Sequence, residues 1–275
     1  MASKVASVDI TYVPHHNTLT ASGRSHFSRI ADGLAEFIDN SIQACSSDIS
    51  PLQKIDIRFF FVGDAGYAVV SDSGKGMNLD NLKAFATYSL DQETRGFRAQ
   101  GGEHTFISKF GVGAKQAGFF LGDRIRVITK AAAVESSSEV MELILDRAEF
   151  EARFQAGEEV FKGSIKIRNK SDVSTTPDDE LAVIPLMQML REHEAANSSF
   201  TIVVMRLHAD MVARLRNKEH YKTVADELAE IYHFHLHPEH TPSEIGQLPK
   251  FKGATGTLAN PAGAGKGKRG GAGGG

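Results

Sequence analysis

The chain has 275 residues, 41% of them hydrophobic, and its 31 basic and 34 acidic side chains give a formal net charge of −3. This length and composition suit a single α/β domain with tails, or one domain and part of a second, with a sizeable core. The balanced charge excludes a basic surface over the whole chain, so only a local basic patch would allow nucleic-acid binding.

Cysteine usage and hydropathy bear on the compartment. Cys45 is the only cysteine, which excludes an intrachain disulfide and a cysteine-based zinc cluster and suits a reducing compartment. The segment from Met1 to Pro14 lacks the basic start and apolar run of a signal peptide. No stretch approaches the roughly 18 apolar residues that span a bilayer. We therefore expect a soluble protein of the cytosol or nucleus, neither secreted nor embedded in a membrane.

The first half of the chain contains a clear succession of predicted elements. Residues 1–25 are polar and predict an N-terminal arm, with VDITYV as an edge strand followed by a loop. Residues 26–45 carry apolar side chains at helical spacing, namely Ile30, Leu34, Phe37, Ile38 and Ile42. Two segments rich in β-formers, 54–62 and 67–72, flank a glycine-containing turn and predict a hairpin. A short helix is predicted over 79–89.

The second half begins with residues 90–110, a polar segment without a period, which is typical of a functional lid or of disorder. A glycine-rich start then leads into a helix over 110–122. Further strands are predicted at 124–131, 138–145, 163–169 and 198–207, and further helices at 178–194 and 210–232. Hairpins without a βαβ rhythm favour an α+β fold with a mixed, mostly antiparallel sheet. The tail from Gly253 is low in complexity and is expected to be disordered.

The first motif lies on the helix predicted over 26–45. Glu36, Asn40 and Ala44 occupy positions i, i+4 and i+8, so they share one face. Oxygen ligands of this kind suit a Mg²⁺ ion that bridges to phosphate, and a carboxylate there can polarise a water for attack on a phosphoryl group. Taken alone, the spacing more often marks an ordinary solvated helix face.

The second motif, Asp72-Ser73-Gly74-Lys75-Gly76, directly follows the strand YAVVS. A carboxylate at a strand end can accept a hydrogen bond from an amine, and the glycines let the chain pass close to a flat ligand. Taken alone, these residues are typical of a plain turn.

The third motif, Phe110-Gly111-Val112-Gly113-Ala114-Lys115-Gln116, opens a predicted helix. Its glycines let the backbone approach a phosphate, while the helix N-terminus and Lys115 favour negative charge. Taken alone, it also fits a flexible hinge, and it matches neither a Walker loop nor a dinucleotide fingerprint. A fourth motif, Ser198-Ser199-Phe200-Thr201, begins a strand, where a hydroxyl can support the Asp72 carboxylate through a water.

In this order, the motifs resemble those of the GHKL ATPases: type II topoisomerases, heat-shock chaperones of the ninety-kilodalton class, sensor histidine kinases and MutL proteins. IDNSIQA is similar to the N box, DSGKGM to the D-x-G-x-G box and GVGAK to the G-x-G box. From about Phe27 to about His237 the chain also resembles the ATPase domains of the flexible-hinge class of chromosome maintenance proteins and of the related MORC proteins. That narrower likeness is carried by LAEFIDNSIQA, FGVGAKQAGFFLGDRIRVITK, LILDRAEFE, GSIKIRN and SSFTIVV.

The resemblance implies a Bergerat-type two-layer sandwich that binds ATP and Mg²⁺ and hydrolyses ATP slowly. By resemblance, Glu36 is the general base that orients the attacking water, and Asn40 coordinates Mg²⁺. Asp72 would accept the adenine amino group, and Thr201 would support that carboxylate. The base pocket would be shaped by Gly74, Gly76 and Met77.

The phosphates would be bound by the start of the helix that follows the lid, residues 90–110. By resemblance, the contacts would come from Gly111, Val112, Gly113, Ala114 and Lys115. Two basic residues of the lid segment, Arg95 and Lys109, are further candidates for phosphate contacts.

The resemblance also divides the chain. It implies an N-terminal arm, an ATP-binding domain, a helical extension or start of a truncated transducer, and a disordered tail, at residues 1–25, 26–210, 211–252 and 253–275. Because few residues follow the last predicted strand, we expect an incomplete family member or a fragment. The family implies an ATP-dependent homodimer, a nuclear or otherwise cytoplasmic location, and association with chromatin or DNA through parts outside this chain.

Other functions fit the sequence less well than this one. A non-hydrolysing ATP-binding regulatory module is disfavoured by the carboxylate at Glu36. A histidine kinase is disfavoured because no dimerising phosphoacceptor helix precedes the N box, and a nucleic-acid module lacks basic charge and stacking aromatics. A metal site lacks a cysteine or paired carboxylate to complete it, although four histidines cluster at His233, His235, His237 and His240.

Overall fold

Six strands form one sheet in the part of the chain that the computed structural model describes, residues 15–45, 54–86, 112–132, 139–168, 185–196 and 199–236. They are β1 (Ile55–Val62), β2 (Ala65–Asp72), β3 (Gly122–Lys130), β4 (Val140–Asp146), β5 (Ile165–Arg168) and β6 (Phe200–Leu207). The sheet order is β1-β2-β6-β3-β4-β5, and each of these pairings is antiparallel. The last strand in sequence therefore lies at the sheet centre, between β2 and β3.

The helices of these segments cover the sheet. They are α1 (Thr18–His26), α2 (Ile30–Cys45), α3 (Leu79–Ala86), α4 (Gly113–Leu121), α5 (Arg147–Gln155), α6 (Leu186–Ala196), α7 (Ala209–Arg216), α8 (Lys218–Ile231) and α9 (His233–Leu236). None of the helices described is both long enough and apolar enough to cross a bilayer.

Strand alternation divides the core into two layers. Ala68 and Val70 of β2 face the main core, whereas Tyr67 and Val69 face the other side of the sheet. The main core also contains buried side chains of α2, α4 and α8, among them Leu34, Phe37, Phe119 and Val224. On the second face α6 contributes Met189 and Leu190. The predicted α+β sandwich is therefore confirmed, and α6 adds cover to its second face.

The predicted loop before His26 is wrong, because α1 occupies residues 18–26. α1 packs on α4 so closely that a Cβ added to Gly23 would lie 2.3 Å from the carbonyl oxygen of Gln116. The chain then becomes extended at Phe27 before α2 begins at Ile30. α1 was missed because it is held by Thr20 and Gly23 with a single buried leucine, which leaves no apolar period to detect.

The second missed helix is α5, where the sequence predicted no element. The side chain of Asp146 caps it by accepting a hydrogen bond from the Ala148 amide at 2.8 Å. Of its own residues, only Phe150 is buried. One buried side chain in a polar helix gives a weak periodic signal. Asp146, a residue type favoured at an N-cap, is a sequence signal for the start of this helix. The predictions for residues 1–14, 90–110 and 253–275 lie outside the described segments.

Candidate functional site

The candidate site lies along α2, whose middle meets the start of α4 and whose C-terminal part meets the ends of neighbouring strands. The register places Asp72 of β2 opposite Thr201 of β6, and Thr201 opposite Thr129 of β3. All three continue the strand face that packs under the helices, since Val70 and Val203 belong to the main core. The sheet thus aligns one carboxylate and two hydroxyls beneath the C-terminal part of α2.

Asp72 is a buried carboxylate, 4% exposed, with hydrogen bonds but no ion pair in the part of the chain described here. Its Oδ2 accepts from the Ser41 hydroxyl at 3.1 Å, and its Oδ1 accepts from the Gly74 amide at 3.0 Å. Burial raises the pKa of Asp72 to about 6, although hydrogen bonds from Gly74, Ser41 and the Thr201 amide lower it. Burial disfavours the charged form of this carboxyl, and no ion pair among the described residues offsets that cost. Such groups are typical of binding sites.

The loop after Asp72 is clamped between α2 and the end of β3. The Lys75 amide donates to the Ala44 carbonyl at 3.0 Å, and a Cβ on Gly74 would lie 2.6 Å from the Ala44 carbonyl carbon. Gly76 has a φ of +63°, and a Cβ there would lie 2.0 Å from the Lys130 carbonyl oxygen. Both glycines are therefore required by close backbone approach within the protein, and the use of this loop to hold a flat ligand stays a prediction.

We expect Gly76→Ala to cost about 3 kcal/mol or more of the free energy of unfolding, because it combines backbone strain with a steric clash. The matched control is Gly63→Ala. Gly63 also has a positive φ, +54°, but nothing lies within 4 Å of its added Cβ, so strain alone should cost about 1 kcal/mol. Urea unfolding of both variants measures the difference. Equal losses would mean that the contact with Lys130 does not constrain the loop.

Two threonines connect this loop to the sheet, and the sequence predicted only one of them. Thr129 Oγ1 lies 3.2 Å from Thr201 Oγ1, donates to the Phe200 carbonyl at 3.0 Å, and accepts from the Met77 amide at 2.9 Å. Thr129 is fully buried. It belongs to none of the four motifs described above, and only the pairing of β3 with β6 places it in the site.

Glu36 lies against the start of α4. A Cβ added to Gly113 would lie 2.0 Å from Glu36 Oε2, so a larger residue there would force this carboxylate to move from its position against α4. Burial raises the pKa of Glu36, the nearby Asp39 charge raises it further, and His26 lowers it. The first amides of a helix have no partner within the helix, so an oxygen-rich group is favoured here. The structure therefore brings together the first and third motifs.

Asn40 lies one helical turn after Glu36, and its Nδ2 donates to the Glu36 carbonyl at 2.7 Å. This contact leaves Asn40 Oδ1 without a hydrogen bond among the described residues. A carboxamide oxygen beside a carboxylate is a suitable donor for Mg²⁺, which takes oxygen ligands and keeps several waters. The residues present therefore fit the ion. The described residues hold no cluster of three or more His, Cys, Asp or Glu side chains that would bind a metal alone.

Lys115 is 2% exposed, and its ammonium donates to the Phe85 carbonyl at 2.5 Å. The same ammonium lies 5.1 Å from the centre of the Phe85 ring. Phe85 lies in the last turn of α3, so Lys115 ties α3 to α4. Ala114 is also buried and Val112 precedes the helix as its N-cap, while Gly111, Arg95 and Lys109 lie outside the described segments.

A family model described as "Histidine kinase-, DNA gyrase B-, and HSP90-like ATPase" matches residues 28–156, which contain α2, the loop after β2 and α4. The chain belongs to this family, the GHKL ATPases. It is 32% identical over 250 residues to the human "Structural maintenance of chromosomes flexible hinge domain-containing protein 1", and 32% identical over 251 residues to the mouse protein of that name. The alignments cover 83% of this chain, which spans only 12% of the length of these relatives.

Proposed function

We propose that this domain binds ATP with Mg²⁺ and hydrolyses it slowly. The observation that carries the hydrolysis is the position of the Glu36 carboxylate. It reaches from α2 to the start of α4, where a Cβ added to Gly113 would lie 2.0 Å from its oxygen. Family membership supports the ATP binding. The buried carboxylate of Asp72, which has no ion pair among the described residues, supports adenine as the base that is recognised.

The base end of the site consists of Asp72 and its supports. The carboxylate accepts a hydrogen bond from the adenine amino group, while Ser41 and the Gly74 amide fix its orientation. Thr201 and Thr129 support the floor of the pocket, and the loop through Gly76 and Met77 borders it. Adenine fits this arrangement because its amino group donates, whereas a carbonyl at the same place would be repelled by the carboxylate.

The phosphate end consists of α4 and α2. The backbone amides from Val112 to Lys115 lie at the N-terminus of α4, where the helix favours the negative charge of a phosphate. Glu36 holds a water for attack on the terminal phosphorus and accepts its proton. Asn40 Oδ1 would hold Mg²⁺, which when bound neutralises phosphate charge.

Phosphate release by the wild-type domain tests this function. ATP with Mg²⁺ should give steady release, and EDTA should stop it. Saturable ATP binding without phosphate release would sink the hydrolysis proposal and leave a non-hydrolysing regulatory module. The absence of any ATP binding would contradict both the ATPase and the regulatory module.

We propose further that nucleotide binding controls the pairing of two copies and a chromosome-associated role in the nucleus. The support is the similarity to the two relatives named "Structural maintenance of chromosomes flexible hinge domain-containing protein 1". Analytical ultracentrifugation with and without ATP tests the pairing, and an unchanged monomer would remove it.

A further inference from the structure

Tyr232 connects the end of α8 to the helix that carries Glu36. Its side chain is buried, 8% exposed, in the main core. The hydroxyl donates to Asp39 Oδ1 at 2.7 Å and lies 3.0 Å from the carbonyl oxygen of Ala35, a second acceptor for the same proton. Asp39 is 193 positions away in sequence. The contact therefore ties the last described part of the chain to α2.

The two acceptors lie beside the catalytic face of α2. Ala35 and Asp39 are at i and i+4, one residue before Glu36 and Asn40, which have the same spacing. The Ala35 carbonyl belongs to the peptide group that joins Ala35 to Glu36, so the phenol contacts the backbone that carries the proposed base. α8 also contacts the start of α2, where Arg29 lies 3.9 Å from Glu227.

Asp39 depends on Tyr232 for its orientation. The phenol is its one hydrogen-bond partner in the segments that the structure describes. Without that contact, the carboxylate can rotate towards the neighbouring positions Glu36 and Asn40. The negative charge of Asp39 would then repel both the Glu36 carboxylate and the phosphates of ATP.

We propose that Tyr232 is a positioning residue for ATP hydrolysis, which holds Asp39 and the Ala35–Glu36 peptide so that Glu36 stays aligned with the start of α4. The inference rests on the proposed function, since it assigns the phenol a part in that reaction. In this proposal Tyr232 acts through α2 and not on ATP itself, so its removal should affect rate and leave affinity nearly unchanged.

Tyr232→Phe removes the hydroxyl and keeps the ring. We expect kcat for ATP hydrolysis to fall about fivefold, the effect of one lost hydrogen bond, with the Kd for ATP within about twofold of wild type. The matched control is Tyr221→Phe in α8, the helix that Tyr232 caps, because the Tyr221 ring packs on Phe59 and its hydroxyl makes no hydrogen bond among the described residues. That variant should match wild type. A wild-type kcat in Tyr232→Phe overturns the inference, and so does a loss of affinity as large as the loss of rate.

Amide hydrogen exchange separates this inference from the proposed function. Tyr232→Phe should speed exchange at residues 36–40 several-fold, while Tyr221→Phe should not. If wild type releases no phosphate, the proposed function fails, and exchange alone decides whether Tyr232 tethers α2. Equal exchange in wild type and Tyr232→Phe overturns the tether.

Discussion

Glu36→Gln is expected to lower phosphate release from ATP by about 100-fold or more, while the Kd for ATP stays within a few-fold of wild type. Glutamine keeps the size of the side chain, so it should still fit against Gly113, where a Cβ would lie 2.0 Å from the carboxylate oxygen. It cannot accept a proton from water, and loss of a general base typically costs a factor of 10² to 10⁴. Single-turnover hydrolysis and calorimetric binding measure the two effects separately.

Glu151→Gln is the matched control, because Glu151 is an exposed residue of α5, a helix that carries none of the proposed site residues. It removes the same charge from the chain and should hydrolyse ATP at the wild-type rate. If Glu36→Gln also hydrolyses at that rate, Glu36 is not the base. If it loses binding and hydrolysis together, the carboxylate serves affinity and not the chemical step.

Asp72→Asn is expected to weaken ATP binding about 10- to 100-fold. The Asp72 carboxylate already accepts from Ser41 and Gly74, so these contacts fix its orientation as an acceptor. An asparagine satisfies the Gly74 amide with its oxygen and presents an NH₂ group where the adenine amino group needs an acceptor. A lost hydrogen bond to a charged group costs about 1.5–3 kcal/mol, which gives the stated range.

The same variant should not destabilise the folded domain near pH 7. Burial raises the pKa of Asp72 to about 6, above the value of about 3.9 for an unfolded chain. The folded state therefore binds the proton more tightly, and the contribution of Asp72 to stability is lost as the pH rises from about 4 to about 6. Asparagine removes this cost, so Asp72→Asn should be at least as stable as wild type near pH 7, and its relative advantage should shrink near pH 4.

Urea unfolding at both pH values checks this prediction, with Asp64→Asn in the exposed turn between β1 and β2 as the control. Asp64→Asn should leave both ATP binding and its pH profile of stability at wild-type values. Marked destabilisation by Asp72→Asn near pH 7 would contradict the account, because a loss of ATP binding would then report unfolding.

Much of the fold was predictable because its signals are local. The hairpin of β1 and β2, the helix α2 and the central strand β6 each have a clear apolar period or a turn signal. α1 was not predictable in this way, since it packs through the backbone at Gly23 and not through an apolar stripe.

The site was predictable where its residues share one element and less so where elements must meet. Glu36 and Asn40 follow from helical spacing, and Asp72 with its glycines follows from one loop. Thr129 enters through the register of β3 with β6. Ser41 stands inside a recognised motif, but its contact with Asp72 depends on how α2 packs over β2.

A calorimetric titration of ATP into the wild-type domain with Mg²⁺ shows whether this domain binds ATP through Asp72. We expect saturable binding of one ATP per chain, and much weaker binding by Asp72→Asn under the same conditions. No saturable binding at about 1 mM ATP, the weak end of the usual affinity range, would contradict the account, and so would equal binding by wild type and Asp72→Asn.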